Sequence, residues 1–415
     1  MKCKINARHY LVIMAGVLFM LTSQCKKEDN SINAAANNLQ YRLENLLDSS
    51  LNAYRENVPD YPGGLAMKVI CSQGSFFVSS GMGQGITEQI HFRAASNSKT
   101  FTSSAVLLLY QQGRLDIKHK ITDNIPGTSE PYVPDSPAYD IPFKNSITIL
   151  DLLRHRAGVF DVSNEYIPDT ISQPFPYIGQ NYIDFVLGID NQHTFTFEEL
   201  VNVVAETGLY YFPPGTGYHY SNTGYSILGK IIERITGQSY QAFLEAAVIV
   251  PMGLKNTTVP VLGDDQGIPE PFAAGYMLYE DFQEDVSLSN VSAHVAEGSV
   301  ITSPADLAFF IRKLLSGQGI LSPHTVNSVM MNCLPTGTAT AGFYGCGLTY
   351  TNNLGYGHNG AHKGYLSMMI YDPASDFTVV IFTNTWNLKS GMNSIAYQLT
   401  GLLENTCYQA RATVN

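Results

Sequence analysis

The sequence predicts an α+β fold: one antiparallel sheet built from both chain ends, flanked by N- and C-terminal helices, with a mainly helical lobe inserted between the strands. Three observations lead there. Strand-like runs bounded by turn residues occur before residue 81 and return after residue 346. Between them the apolar residues recur at helical spacing, and an amphipathic helix stands at each end. Strands so far apart in the chain bury their faces best as one sheet, with the intervening helices as further layers. At 415 residues the chain exceeds the usual single core, and its 45% hydrophobic and 14% charged residues are an ordinary globular composition.

The opening helix is read from Leu43, Leu46, Leu47, Leu51 and Tyr54, and Pro59 and Pro62 end it. Leu65 to Cys71 and Ser75 to Ser80, joined through Gly74, read as a β-hairpin. Ser96 to Gln112 reads as a helix with a serine-rich start and an apolar side of Phe101, Ala105, Leu108 and Leu109, stopped by Gly113. Residues 122–143, with five prolines, read as extended solvent-side chain, and 160–195 as an irregular stretch of the kind that walls a cleft. Thr196-Phe197-Glu198-Glu199 has capping-box form, and Ile227 to Ile235 continues a helix that Gly237 ends. Ser303-Pro304-Ala305-Asp306 opens another, with proline at the first helical position. Gly347 to Thr351, Tyr365 to Tyr371 and Thr378 to Thr383 read as strands, and a last helix shows Met392, Ile395, Ala396, Leu399 and Leu403 on one face.

The first residues have the form of an export signal. Lys2, Lys4 and Arg8 precede an apolar run from Tyr10 to Leu21, too short to span a bilayer comfortably. Leu21-Thr22-Ser23-Gln24-Cys25 then resembles a bacterial lipoprotein box, with Cys25 as the lipidation site and Gln24 where a smaller residue is usual. The expected product is an exported, lipid-anchored cell-envelope protein, with residues 1–24 as signal, 25–36 as tether, and no membrane contact besides the anchor. Losing residues 1–24 removes three positive and no negative charges, moving the formal charge from −11 to −14. Phosphate backbones would repel such a chain, so no nucleic-acid partner is expected. Four cysteines remain beyond Cys25, namely Cys71, Cys333, Cys346 and Cys407, with three possible pairings. No cysteine or histidine cluster has metal-site spacing, so no structural metal is expected.

Three short motifs carry chemistry. Ser96-Asn97-Ser98-Lys99 puts a hydroxyl and an amine three residues apart on one helical face, at a helix start that favours developing negative charge. A lysine held there and partly desolvated can lose its proton and act as base. The same spacing recurs in Ser23-Gln24-Cys25-Lys26, which straddles the end of the export signal and carries no catalytic meaning. Tyr220-Ser221-Asn222 precedes a helix: tyrosine can exchange a proton if a nearby cation lowers its pKa, and asparagine can hold both the lysine and a substrate amide. Tyr350-Thr351-Asn352 repeats that pattern on a strand end. His358-Asn359-Gly360 lies on or beside a late strand, where a cation or proton donor would orient substrate, and His362-Lys363-Gly364 overlaps it.

In this order and context the three motifs resemble the serine β-lactamase and D-Ala-D-Ala carboxypeptidase family, in the branch with Tyr-x-Asn second and Lys or His before x-Gly third. Phe92 to Phe101, Gln112 to Asp116, Leu152-Leu153-Arg154-His155-Arg156-Ala157-Gly158, Pro214 to Gly229, Glu297 to Leu315 and Gly357 to Tyr371 extend the likeness over roughly residues 60 to 385. The resemblance implies a β-lactamase/transpeptidase-like fold over 37–410, with 37–95 and 340–410 as an α/β lobe and 96–339 as the helical one. It implies Ser96 as acylated nucleophile, Lys99 and Tyr220 as handlers of its proton, His358 flanking the pocket, and a reaction through an acyl-enzyme with no metal or organic cofactor. Asn222, Asn359, Gly360 and Ala361 would bind substrate, with the N–H groups of Ser96 and Ala361 as oxyanion hole. Asn359 stands where a threonine or serine is usual, and Ala361 where some carboxypeptidases have a hydroxyl, which weakens a substrate with a free carboxylate. The expected substrate is a small molecule or peptide, cell-wall material included, cut at an amide or lactam bond. A carboxylesterase with the same residues and a non-catalytic surface-anchored binding protein on the same fold stay as alternatives.

Overall fold

The computed structural model describes residues 36–337, 342–389 and 392–414, with no side chains described at 392–398. The export signal, Cys25 and nearly all of the tether lie outside the described residues, as do the side chains of Met392, Ile395 and Ala396. No helix among the described residues is long and apolar enough to cross a membrane.

Helix α1 (36–57) leads into the hairpin β1 (Leu65–Cys71) and β2 (Gly74–Ser80). Helices α2 (Ser98–Gln111), α3 (Phe197–Thr207), α4 (Asn222–Thr236) and α5 (Pro304–Leu315) follow among shorter turns. The chain then returns to strands β3 (Leu334–Pro335), β4 (Phe343–Tyr344), β5 (Thr349–Thr351), β6 (Gly355–His362), β7 (Tyr365–Asp372) and β8 (Phe377–Thr383), and closes with α6 (Met392–Val414). The strands form one antiparallel sheet in the order β2-β1-β8-β7-β6-β5-β4-β3. Strand β1, near the N-terminus, therefore pairs with β8, near the C-terminus, with Leu65 opposite Thr383. The α+β expectation holds.

Alternation along β8 divides the core. Val379 and Ile381 face Leu43, Leu47 and Leu51 of α1 and Leu399 and Leu403 of α6. Val380 and Phe382 face the opposite layer, which holds Phe101 of α2 and Phe310 of α5. Phe382 stacks on Phe92 with centroids 4.2 Å apart, and Phe101 on Phe310 at 3.8 Å. Each such buried side chain contributes about 1.5–3 kcal/mol. A sheet covered on both faces explains why β7 and β8 read as unbroken apolar runs.

The caps read from sequence are present: Thr196 accepts from the Glu199 N–H, Gly237 ends α4 at φ 69°, and Ser303 caps α5 ahead of Pro304. Three readings need correction. Residues 122–143 are not solvent-side chain, because Tyr132, Val133, Tyr139 and Ile141 are buried beneath the helices. The stretch 160–195 contains a helix, Tyr182–Ile189, capped by the Asn181 side chain. A small sheet of Thr385–Asn387, Tyr276–Leu278 and Gln283–Asp285, too short to show a period, also went unseen.

Candidate active site

The turn that presents Ser96 is built before the helix begins. Ala95–Asn97 form a 3₁₀ turn, and α-helical geometry starts only at Ser98. Ala95 has φ 49°, a left-handed conformation that costs a non-glycine residue on the order of 1–3 kcal/mol. Surrounding bonds hold it there. The Ala94 N–H donates to Val300 O at 2.9 Å, and Asn97 Nδ2 donates to Ala94 O at 2.8 Å and Ser367 Oγ at 2.9 Å. Ser98 Oγ donates to Ala95 O at 2.7 Å and accepts from the Val300 N–H at 3.1 Å. Ala95, Asn97 and Ser98 are buried, whereas Ser96 is part-exposed to the cleft.

Lys99 lies one turn on and is fully buried. Its Nζ is 3.2 Å from Ser96 Oγ, 2.7 Å from Asn222 Oδ1 and 3.1 Å from Glu297 O. Burial pulls the amine down to about 8, against the opposing pull of the Glu297 and Asp161 carboxylates. The last two contacts are acceptors only. In the neutral amine they take its two N–H groups, and the lone pair is left facing Ser96 Oγ.

Asn222 and Tyr220 come from the start of α4, where Ser221 caps by accepting from the Gly224 N–H. Tyr220 lines the cleft beside Ser96, and Lys99 Nζ stands 4.6 Å from its ring centroid. The cation does not lower this phenol: burial pushes Tyr220 well above its ordinary value, because a buried phenolate would lose its hydration. Tyr220 is thus a neutral hydroxyl able to pass a proton on.

On the strand side, His358 is buried on β6 and pulled down to about 3 by burial and by the Lys99 charge. Its Nε2 lies 2.9 Å from Tyr344 Oη and its Nδ1 2.6 Å from Asn359 O. The expected cation or donor at this point is therefore a neutral ring with both nitrogens engaged. Asn359 is exposed and Ala361 exposed beside the cleft, while Gly360 packs against the nucleophile turn. A Cβ at Gly360 would stand 2.2 Å from Ala94 O. Gly360→Ala is expected to lower stability by about 1–3 kcal/mol and to cut activity by displacing Ser96, checked by thermal unfolding and turnover. Strand β5 covers only 355–357 of β6, so among the described residues the edge over 358–362 is unpaired and borders the cleft.

Ser96, Tyr220, Asn222, His358, Asn359 and Ala361 all line one open cavity, which totals about 1230 Å³ and continues past the sheet edge to Met368, Ile370 and Tyr408. The repeated patterns fall elsewhere: Tyr350-Thr351-Asn352 lies further along the cleft from β5, and His362-Lys363-Gly364 forms the β6–β7 turn. Sequence reasoning missed Tyr344, and it gave His155, which lies in the Leu-Leu-x-His element, no role at the site. Glu297, buried with Oε1 3.1 Å from His294 Nδ1, supplies the carbonyl that holds Lys99. Cys71, Cys333, Cys346 and Cys407 are free thiols.

A family profile described as Beta-lactamase matches residues 62–400. The chain belongs to the beta-lactamase family. It is accordingly a hydrolase of the serine type found there. Relatives include Penicillin-binding protein 4* of Bacillus subtilis, 27% identical over 67% of this chain, and Penicillin-binding protein 4 of Amycolatopsis lactamdurans, 26% identical over 78%. The matched regions span 57% of the first relative's length and 80% of the second's. Among solved structures, a D-stereospecific amidohydrolase from Streptomyces sp. aligns with TM-score 0.67 at 24% identity, over 83% of this chain and 94% of that one. That likeness is one of fold.

Proposed function

We propose that this beta-lactamase family member is a serine amidohydrolase that cuts amide or peptide bonds through an acyl-enzyme on Ser96. The observation that carries the reading is Lys99: buried, drawn to about 8, and aimed at Ser96 Oγ by two acceptor-only partners. Neutral Lys99 takes the Ser96 proton as Oγ attacks the substrate carbonyl carbon. The oxyanion that forms lies between the N–H groups of Ser96 and Ala361. When the C–N bond breaks, the leaving amine takes a proton from the Tyr220 hydroxyl, which regains one from the Lys99 ammonium. Water then hydrolyses the ester, with Lys99 again as base. Asn222 holds Lys99 and the substrate amide, and Asn359, Gly360 and Ala361 present the open edge of β6 to an extended chain.

The likeness to a D-stereospecific amidohydrolase and to two penicillin-binding proteins supports an amide-bond substrate related to cell-wall peptides. We read 37–410 as the catalytic unit, split into an α/β lobe (37–95 and 340–410) and a helical lobe (96–339), exported and tethered through lipidated Cys25. The test is intact-mass and peptide-mapping analysis after exposure to a fluorescent penicillin and, separately, a fluorophosphonate. A fluorophosphonate adduct on Ser96 is expected, with penicillin, which carries a free carboxylate, labelling the same residue more slowly. Labelling by the fluorophosphonate alone, together with hydrolysis of ester but not amide substrates, points to the esterase alternative, and labelling of any other residue overturns the assignment.

A further inference from the structure

A chain of hydrogen bonds crosses the strand side of the cleft, and its direction is fixed at both ends. The Ser221 N–H, which can only donate, reaches His155 Nδ1 at 3.1 Å. His155 is buried beside Lys99 and held neutral, well below its ordinary value, so its one proton is on Nε2. That nitrogen lies 3.2 Å from Tyr344 Oη. At the other end His358 Nδ1 faces Asn359 O, which can only accept, at 2.6 Å. The single proton of this neutral ring is therefore on Nδ1 and its Nε2 is bare. Tyr344 Oη stands 2.9 Å from that bare nitrogen. The hydroxyl thus receives from His155 and gives to His358, and all three side chains are 2% exposed.

We propose that the His155–Tyr344–His358 chain determines specificity: with His358 Nε2 tied to the Tyr344 hydroxyl, the histidine gives neither a hydrogen nor a charge to a substrate carboxylate, only neutral donors such as the Asn359 amide remain on the strand side, and the enzyme favours substrates whose leaving portion is uncharged. A C-terminal carboxamide fits this requirement and a free amino-acid carboxylate does not. Among the described residues lining the cleft, Lys363 is the one lysine and there is no arginine. Lys363 Nζ faces Asp184 Oδ1 at 3.8 Å, and both side chains are about two-thirds exposed, so its charge is shared and screened by water. His155 also positions Tyr220, whose ring centroid lies 4.2 Å from its own at a 36° tilt. Tyr344 and His155 are positioning residues here and touch no reacting atom.

The inference rests on the amidohydrolase reading, and the test separates the two. N-acetyl-D-alanyl-D-alanine and its C-terminal amide differ only at the leaving portion. The wild-type enzyme is expected to prefer the amide in kcat/KM by at least about tenfold. Tyr344→Phe keeps the ring and removes the hydroxyl that occupies His358 Nε2, so that a substrate carboxylate placed beside this nitrogen can share a proton with it. The amide-to-acid ratio is then expected to fall by at least about tenfold, mainly through a lower KM for the acid. A merely structural role would slow both substrates alike. Fluorophosphonate labelling of Ser96 in the variant verifies that it folds. An independent readout is the histidine nitrogen NMR of the wild-type protein, where His358 should carry its proton on Nδ1 and His155 on Nε2. A preference for the acid, turnover of neither peptide, an unchanged ratio in Tyr344→Phe, or a His358 proton on Nε2 overturns the proposal. Absence of any Ser96 adduct in the wild type would instead overturn the amidohydrolase reading, while the NMR assignment would still decide the hydrogen-bond chain.

Discussion

Ser96→Ala is expected to bring amide hydrolysis down to background, a loss of up to about 10⁶-fold where a serine nucleophile is removed, with Tm unchanged within about 2 °C. The two readouts separate because Ser96 contributes little to the packing that holds its own turn. The left-handed Ala95 is fixed by Asn97, Ser98 and Val300, none of which needs the Ser96 hydroxyl. Lys99 loses one partner at 3.2 Å and keeps Asn222 Oδ1 and Glu297 O. Turnover by the alanine variant within tenfold of wild type would show that another group attacks the substrate. A large fall in Tm together with lost activity would show that the hydroxyl holds the turn, and only covalent labelling could then assign the nucleophile. Both are measured on one preparation, by product formation and differential scanning fluorimetry.

What the sequence made legible follows from the range of the interactions involved. Ser96 and Lys99 meet because residues three apart share a helical face, and that geometry survives although Ser96 sits on a 3₁₀ turn. The two-ended sheet was readable because β7 and β8, covered on both faces, leave apolar runs that no surface strand would show. By contrast, the helix Tyr182–Ile189 buries only Ile183 fully, so its burial leaves no stripe to find. Protonation states were out of reach. Tyr220 beside Lys99 reads as a phenol made acidic by a cation, yet burial acts the other way and prevails. His358 reads as a donor toward substrate, yet Asn359 O and Tyr344 take up both its nitrogens. Tyr344 belongs to none of the three motifs, and nothing in its neighbours Gly345 and Cys346 marks it. Local spacing thus located the reacting pair, whereas charge states depend on what the rest of the chain folds over them.

Lys99→Met is expected to lower kcat by about 10²–10⁴-fold, the range for a lost general base, and Lys99→Arg by a similar factor. The pair of variants separates two roles that one cannot. Methionine fills the buried space but has neither charge nor basicity, while arginine keeps the charge and, with a pKa above about 12, cannot take a proton at working pH. If the cation alone served to steady an oxyanion, arginine would retain most of the rate. If the free amine is the base, both variants fail. The pH dependence of the wild type gives the sign. Lys99 is pulled down to about 8 by burial, so it is charged and inactive as a base below that value and neutral above it. The wild-type kcat/KM should therefore rise between about pH 7 and 9, with its midpoint near 8, and then level off. Tyr220, raised above its ordinary value, stays protonated through this window and adds no falling limb, and His358, drawn to about 3, adds no step between pH 5 and 7. Met in place of Lys99 orphans Asn222 Oδ1 and Glu297 O, at about 1–3 kcal/mol each, while removing a buried charge of comparable cost, so stability is the weaker readout and rate the decisive one. A bell centred near pH 6.5 would assign the base to a histidine, and an arginine variant within tenfold of wild type would make Lys99 an electrostatic support for Ser96 in place of its base.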